Sequence, residues 1–347
     1  MRTFDLRLHG LANYRWAMAT GAAALITVLT GCSAPPSPAS ADASASPAIA
    51  VPASPTSAAT AAVKCMRDND LACAEANWKQ YVKLRPTDVR GIASLGVVLN
   101  KEDKNDQAIA EFEKDIRLGA GAYDLFAYYA DSLDKVGRTD EAIDWSYKTL
   151  KLEPSLVDVR EKLGQMLVLK KRSYEALTLL SEFDEYLDEH GQPQQFLGNR
   201  MAIESAMHDL GKADSHEAAG LRLVKFKDTF YAPVSVGQSG VRAFVVDTGA
   251  TSVVVNDAFL ASSKVPYKTL RSQVEARLAD GRVVAASQVL IDRLMVGPME
   301  LDNVKALSCQ SCELLLGSNA LSAFTMNVSQ VKGVDVATLT PHNPSHS

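Results

Sequence analysis

A chain of 347 residues is longer than one ordinary domain, so two folded units with appendages are expected. Its 36 basic and 41 acidic side chains leave a formal net charge of −5, which argues against a phosphate-binding surface and offers no polybasic stripe to a nucleic acid. Five cysteines are an odd number, so one of them has to be accounted for apart from any pairs.

At the amino terminus Arg2, Arg7 and Arg15 precede an apolar run from Trp16 to Thr30, which ends at Leu29-Thr30-Gly31-Cys32. A basic segment, a short apolar segment and small residues at its end describe an export signal over residues 1–31. The run is shorter than the roughly twenty residues that a spanning helix needs, although a membrane anchor or a chance cysteine stays open. The Leu-Thr-Gly-Cys ending resembles the lipobox of bacterial lipoproteins. That resemblance implies cleavage before Cys32, its acylation, and a lipid anchor facing the cell envelope. Ser33 after the cysteine, in place of Asp, implies the outer membrane if the source is Gram-negative. Residues 32–55 are nearly all Ala, Ser and Pro and carry too little apolar bulk to offset chain entropy, so they read as a tether.

Residues 56–215 carry a helical pattern that repeats. Ala74, Ala108, Ala142 and Ala176 recur every 34 residues, and so do Leu95, Tyr129 and Leu163, and Gly96, Ala130 and Gly164. Pro86 and Pro154 close two of the repeats, with Ala120 at the equivalent place between them. Small residues at fixed registers let paired helices approach closely, and a proline ends the second helix. The period resembles tetratricopeptide repeats, which implies an all-α solenoid that takes up a peptide or protein partner. No repeated Lys/Asn set for clamping a terminal carboxylate is present, so a spacer or dimerisation role stays open beside recognition. Cys65 and Cys73 flank the turn of the first, degenerate repeat and read as a disulfide in an exported chain, or else as two buried thiols. Residues Gln194–Leu210 read as a capping helix with Gly211 as its stop.

After His216 the pattern changes to short strands. Leu221–Phe226 and Tyr231–Val236 are followed by two apolar runs around Asp247-Thr248-Gly249-Ala250-Thr251-Ser252. A carboxylate between β-branched strands is costly unless it is hydrogen-bonded or functional. Ser272–Leu278 and Arg282–Ile291 flank Ala279-Asp280-Gly281, a hairpin signal, and Leu294–Val296 and Leu301–Leu307 supply further strands. Leu315-Leu316-Gly317 then precedes a short helical stretch.

The Asp247 run resembles the active-site loop of retropepsin-like aspartic proteases, and Leu315-Leu316-Gly317 matches their second motif. The resemblance covers roughly residues 221–340 within an expected domain of 216–340. It implies an all-β closed barrel, Asp247 as the catalytic residue, Thr248 bonding across a two-fold axis, and Gly249 admitting close backbone approach. Ala279, Asp280 and Gly281 would be the flap over substrate, although they lack the Gly-rich tip of viral flaps. The chemistry needs two carboxylates sharing a proton, and the chain holds one Asp-Thr-Gly, so the resemblance implies a homodimer acting on a protein or peptide substrate.

Cys309 and Cys312 read as a local disulfide rather than a zinc or redox pair, since no partner C-x-x-C or βαβ setting accompanies them. The six histidines are scattered, so neither a metal nor a cofactor is expected. Residues 341–347 read as a disordered tail. The chain is thus expected to be α + β and multidomain: an all-α tetratricopeptide solenoid, then a retropepsin-like barrel. The rival reading is a non-catalytic peptide-binding scaffold in the cell envelope.

Overall fold

The computed structural model describes residues 54–210, 220–277 and 283–342. The expected export segment, Cys32, nearly all of the tether, Gly211 and the Ala279–Gly281 tip lie outside the described residues.

Helices occupy the first part of the chain: α1 (Pro55–Arg67), α2 (Leu71–Leu84), α3 (Val89–Lys101), α4 (Asn105–Arg117), α5 (Tyr123–Lys135), α6 (Thr139–Leu152), α7 (Val157–Leu169), α8 (Ser173–Glu189) and α9 (Leu197–Leu210). The first of them begins inside the segment expected to be tether. Ser54 caps α1 through a reciprocal box with Ser57, and Pro55 takes the first turn, where its missing N–H costs nothing. Asp70 and Asp88 cap α2 and α3 by accepting from the backbone N–H of Cys73 and Arg90. A disulfide joins Cys65 of α1 to Cys73 of α2.

The 34-residue registers have a steric cause. Ala74, Ala108, Ala142 and Ala176 are fully buried between helices. A Cβ placed on Gly96 would lie 2.5 Å from the Phe112 ring of the paired helix. The repeats are therefore helix pairs packed across small residues, and the helical region is of tetratricopeptide type.

Among the buried polar residues that interrupt the apolar filling, an aspartate in α4 is a costly one. Asp115 of α4 is fully buried, and neither carboxylate oxygen has a hydrogen-bond partner. Burial, with Asp88 and Glu111 adding repulsion, pushes its pKa up to about 6. A folded-state pKa above the unfolded value means that stability is complete at low pH and is lost as pH rises through the window from about 4 to 6. Asp115→Ala is therefore expected to raise stability by about 1–3 kcal/mol at pH 8 and by much less at pH 4. Equal shifts in the unfolding midpoint at the two pH values would show that the carboxylate is not the cause.

The second part is β-rich: β1 (Leu221–Phe226), β2 (Thr229–Ser235), β3 (Arg242–Val246), β4 (Val253–Asn256), α10 (Asp257–Ser263), β5 (Lys268–Arg277), β6 (Val283–Val296), β7 (Met299–Cys309), β8 (Leu315–Leu316), α11 (Ser318–Leu321), β9 (Phe324–Val331) and β10 (Val334–Pro341). The strand order is β5-β6-β7-β4-β8-β3-β2-β1-β10-β9, and a further β2–β6 pairing closes the ring. Val234 opposite Val296 and Ser235 opposite Met295 make that closure. Phe244, Val253, Val255, Phe259 and Leu316 fill the interior. Pro341 and His342, expected in the tail, are tied to the barrel. Pro341 still pairs with Phe324, and the His342 N–H donates to Ala323 O, because the β9–β10 hairpin runs to that point.

Helices and barrel share a core. Val224, Phe226 and Val334 of the barrel join the helical cluster, and the described residues of both parts fall in one compact unit. Arg160 of α7 is its polar pin, with its guanidinium 4.4 Å from the Phe183 ring centroid and 4.3 Å from that of Phe226. Its two terminal nitrogens donate to Leu179 O, Pro154 O and Glu182, which offsets part of the cost of burying the cation, while Nε is buried without a partner. Burial nonetheless lowers its pKa to about 10. Between the same two parts Lys151 donates to Gly333 O, and Arg222 of β1 lies 3.6 Å from the buried Glu175.

Candidate active site

Strand β3 is apolar over Ala243–Val246, where β2 lies along one edge and β8 along the end of the other, and it leads into Asp247. The chain turns there because Asp247 organises its own loop. Its Oδ1 accepts from Gly249 N at 2.8 Å and Ala250 N at 3.2 Å, a side-chain cap on a tight turn. The chain then leaves along β4. Thr248, Gly249 and Thr251 are exposed, while Asp247, Ala250 and Ser252 are half-buried.

The two sequence motifs meet. Strand β8 runs between β3 and β4, parallel to β3 with Val245 opposite Leu315 and Val246 opposite Leu316, and antiparallel to β4 at Val254. Val245 N donates to Leu314 O, and Asp247 N donates to Leu316 O at 3.2 Å. Leu316 is fully buried beneath the loop. Gly317 then passes so close to the loop that an added Cβ would sit 2.3 Å from Ser252 O and 3.0 Å from Ala250 O. The residues after it clasp the loop. Ser318 N donates to Ala250 O at 2.8 Å, and Ser318 Oγ donates to Thr248 O at 3.1 Å. Asn319 receives Val253 N on its Oδ1 and donates from Nδ2 to Lys305 O. Asn319 is a loop-holding residue that the sequence did not single out; only its position two residues after the Leu-Leu-Gly motif could have marked it.

The β5–β6 hairpin has Arg277 opposite Val283 as its last described pair. Most of β5 is exposed, as expected of a strand projecting from the barrel. The described end near that pair is not free, because Ala276 and Ala286 pack on Cys309 and Cys312, with Val254 and Leu307 beside them. Those cysteines form a disulfide across the turn that leads into β8. The turn also carries Glu313, whose pKa is raised by loss of solvation, then by Glu189 at the end of α8 and by Asp247. Glu189 and Asp247, one from each part of the chain, thus both add negative charge around Glu313. Among the described residues, no group of three or more His, Cys, Asp or Glu could hold a metal ion, and no helix is long and apolar enough to cross a membrane.

An apolar strand leading into Asp-Thr-Gly, paired in parallel with a Leu-Leu-Gly strand inside a closed barrel, defines an aspartic protease-like domain behind a helical repeat array. The family described as "gag-polyprotein putative aspartyl protease" matches residues 232–323, which include both motifs. No curated protein matches the chain in sequence. The helical part is similar to the tetratricopeptide-repeat protein YrrB, described as having an unusual peptide-binding site. That likeness has 22% identity and a TM-score of 0.34, over 36% of this chain and 64% of YrrB. The match therefore spans less than two thirds of YrrB. It is also similar to MamA, with 20% identity and a TM-score of 0.37 over 40% of this chain and 80% of that one.

Proposed function

We propose that the chain is an aspartic endopeptidase whose catalytic pair is Asp247 from each of two subunits, with the repeats presenting a protein or peptide to it. The observation that carries this reading is the clasped loop. Asp247 Oδ1 is held by two backbone N–H groups, Leu316 O fixes its own N–H, and the Thr248-Gly249 edge lies open to solvent. Two such loops facing each other would bring like charges together, so the pair holds one proton between them. The ionised member takes a proton from water as its oxygen attacks the peptide carbonyl carbon, and the protonated member delivers its proton to the carbonyl oxygen. Collapse of the resulting diol transfers a proton to the departing amine. Cys32 as a lipid anchor, with the chain facing the periplasm at the outer membrane of a Gram-negative source, completes the reading. The Cys65–Cys73 and Cys309–Cys312 disulfides support an oxidising compartment.

The dimer is tested by dilution. Specific activity on a mixed peptide library should fall as the protein is diluted below its association range, and a pepstatin-type inhibitor should block cleavage. Sedimentation of a strict monomer that still cleaves peptides would overturn the paired-Asp247 mechanism.

A further inference from the structure

Strand β3 has a vacancy along one edge, and the helices fill it. On its other edge β3 pairs with β2 from Arg242 opposite Val234 to Val245 opposite Tyr231. On this edge β8 reaches only Val245 and Val246. Backbone N–H groups of a strand alternate in direction, so those of Val241, Ala243, Val245 and Asp247 point the same way. The last two are received by the β8 carbonyls of Leu314 and Leu316. The first two find no strand. Val241 N donates to Glu204 Oε1 of α9 at 2.7 Å. Ala243 N donates to Ser181 Oγ at 3.2 Å and to Glu185 Oε1 at 3.3 Å, both on α8. Ser181 and Glu185 are one helical turn apart and bonded to each other at 2.7 Å, and Glu185 also receives Arg242 Nε at 2.8 Å. Arg200 of α9 donates to Ser181 Oγ at 3.0 Å and locks the two helices into the same arrangement.

We infer that α8 and α9 act as a surrogate strand for the active-site strand, and that Glu185 is a positioning residue for Asp247. Its carboxylate sets the height of Ala243, and the ladder carries that setting through Val245 to Asp247 N. The repeats are then part of the site's framework, and whatever shifts α8 shifts the aspartate. The catalytic consequence rests on the endopeptidase reading; the positioning itself does not.

Backbone hydrogen exchange on the full chain tests it. In Glu185→Ala, exchange in the segment 241–250 should quicken by about fivefold to tenfold, while the β9–β10 hairpin at the far edge stays at the wild-type rate. Glu185→Gln keeps an acceptor oxygen for Ala243 N and should restore most of the protection. Ser181→Ala, read the same way, serves if Glu185→Ala does not fold. If the chain cleaves peptides, Glu185→Ala should lower kcat with little change in KM. Unchanged exchange at 241–250, or acceleration spread evenly over the barrel, would overturn the inference. Localised acceleration in a chain with no peptidase activity would uphold the positioning and remove the endopeptidase reading instead.

Discussion

Asp247→Asn should lower peptide cleavage by about 10²–10⁴-fold with little change in folding. The asparagine keeps an oxygen that can accept from Gly249 N and Ala250 N, so the loop's own cap survives the exchange. The ladder bond from residue 247 to Leu316 O is a backbone bond and is untouched. What disappears is the ionisable oxygen that would share a proton across the two-fold axis. Mixing the variant with wild type should give less activity than the two contribute separately, because a mixed dimer has one carboxylate where the chemistry needs two. The decisive measurement is cleavage of a mixed peptide library by both proteins with matched unfolding midpoints. Equal residual cleavage would remove the enzyme reading and leave the peptide-binding scaffold.

Gly317→Ala should disrupt the barrel and the active-site loop together. Its Cβ would lie 2.3 Å from Ser252 O and 2.5 Å from Ser252 C, and both are backbone atoms of the active-site loop. At Gly96 the obstruction is the Phe112 ring, which can turn aside, whereas the Ser252 carbonyl is tied into a loop clasped by Ser318 and Asn319. Overpacking of this kind costs about 1–3 kcal/mol where neighbours yield, and more where they do not. The backbone of Gly317 lies in an extended conformation, so the effect comes from crowding and not from a strained torsion. A clear fall in the unfolding midpoint is expected, with loss of whatever activity depends on Asp247. A midpoint unchanged from wild type would mean that β8 and the loop can separate, contrary to the interlocked arrangement described above.

The surrogate edge bears on how the repeats can be studied. Removing residues 56–215 strips the acceptors from Val241 and Ala243 and uncovers Phe226 of the shared core. Lost activity after such a deletion would therefore measure a damaged site, not lost recruitment of substrate. Substitutions on repeat surfaces remote from α8 and α9 separate the two effects.

Much of this molecule was legible from its chain. The 34-residue register of small residues implies paired helices because each helix must bring its backbone close to the next, and that requirement recurs at every turn of the solenoid. The Asp-Thr-Gly and Leu-Leu-Gly motifs are legible for a similar reason. A tight turn and a close backbone crossing demand particular small residues, and that demand shows in a short window. The apolar strands around Asp247 and the short helix after Gly317 also lie where they were expected. The β9–β10 hairpin, helix α10 and the closing β2–β6 pair were not read, since short mixed strands carry weak periodicity and their pairing depends on distant partners.

What tertiary structure alone decided is how Asp247 is held. Ser181, Glu185 and Glu204 are ordinary polar residues on helices. Their acceptors meet β3 only because α8 and α9 dock on a barrel that begins after the helices end. Nothing in the local sequence distinguishes a glutamate that faces water from one that completes a β-ladder. Asp115 makes the complementary point, because its burial without a partner follows from helix packing and not from its neighbours in sequence. The sequence by itself determined the two architectures and the one aspartate, because those are requirements of local geometry. Only the fold could decide that the solenoid supplies part of the active strand's edge, because hydrogen bonds between residues far apart in the chain leave no periodic mark on it.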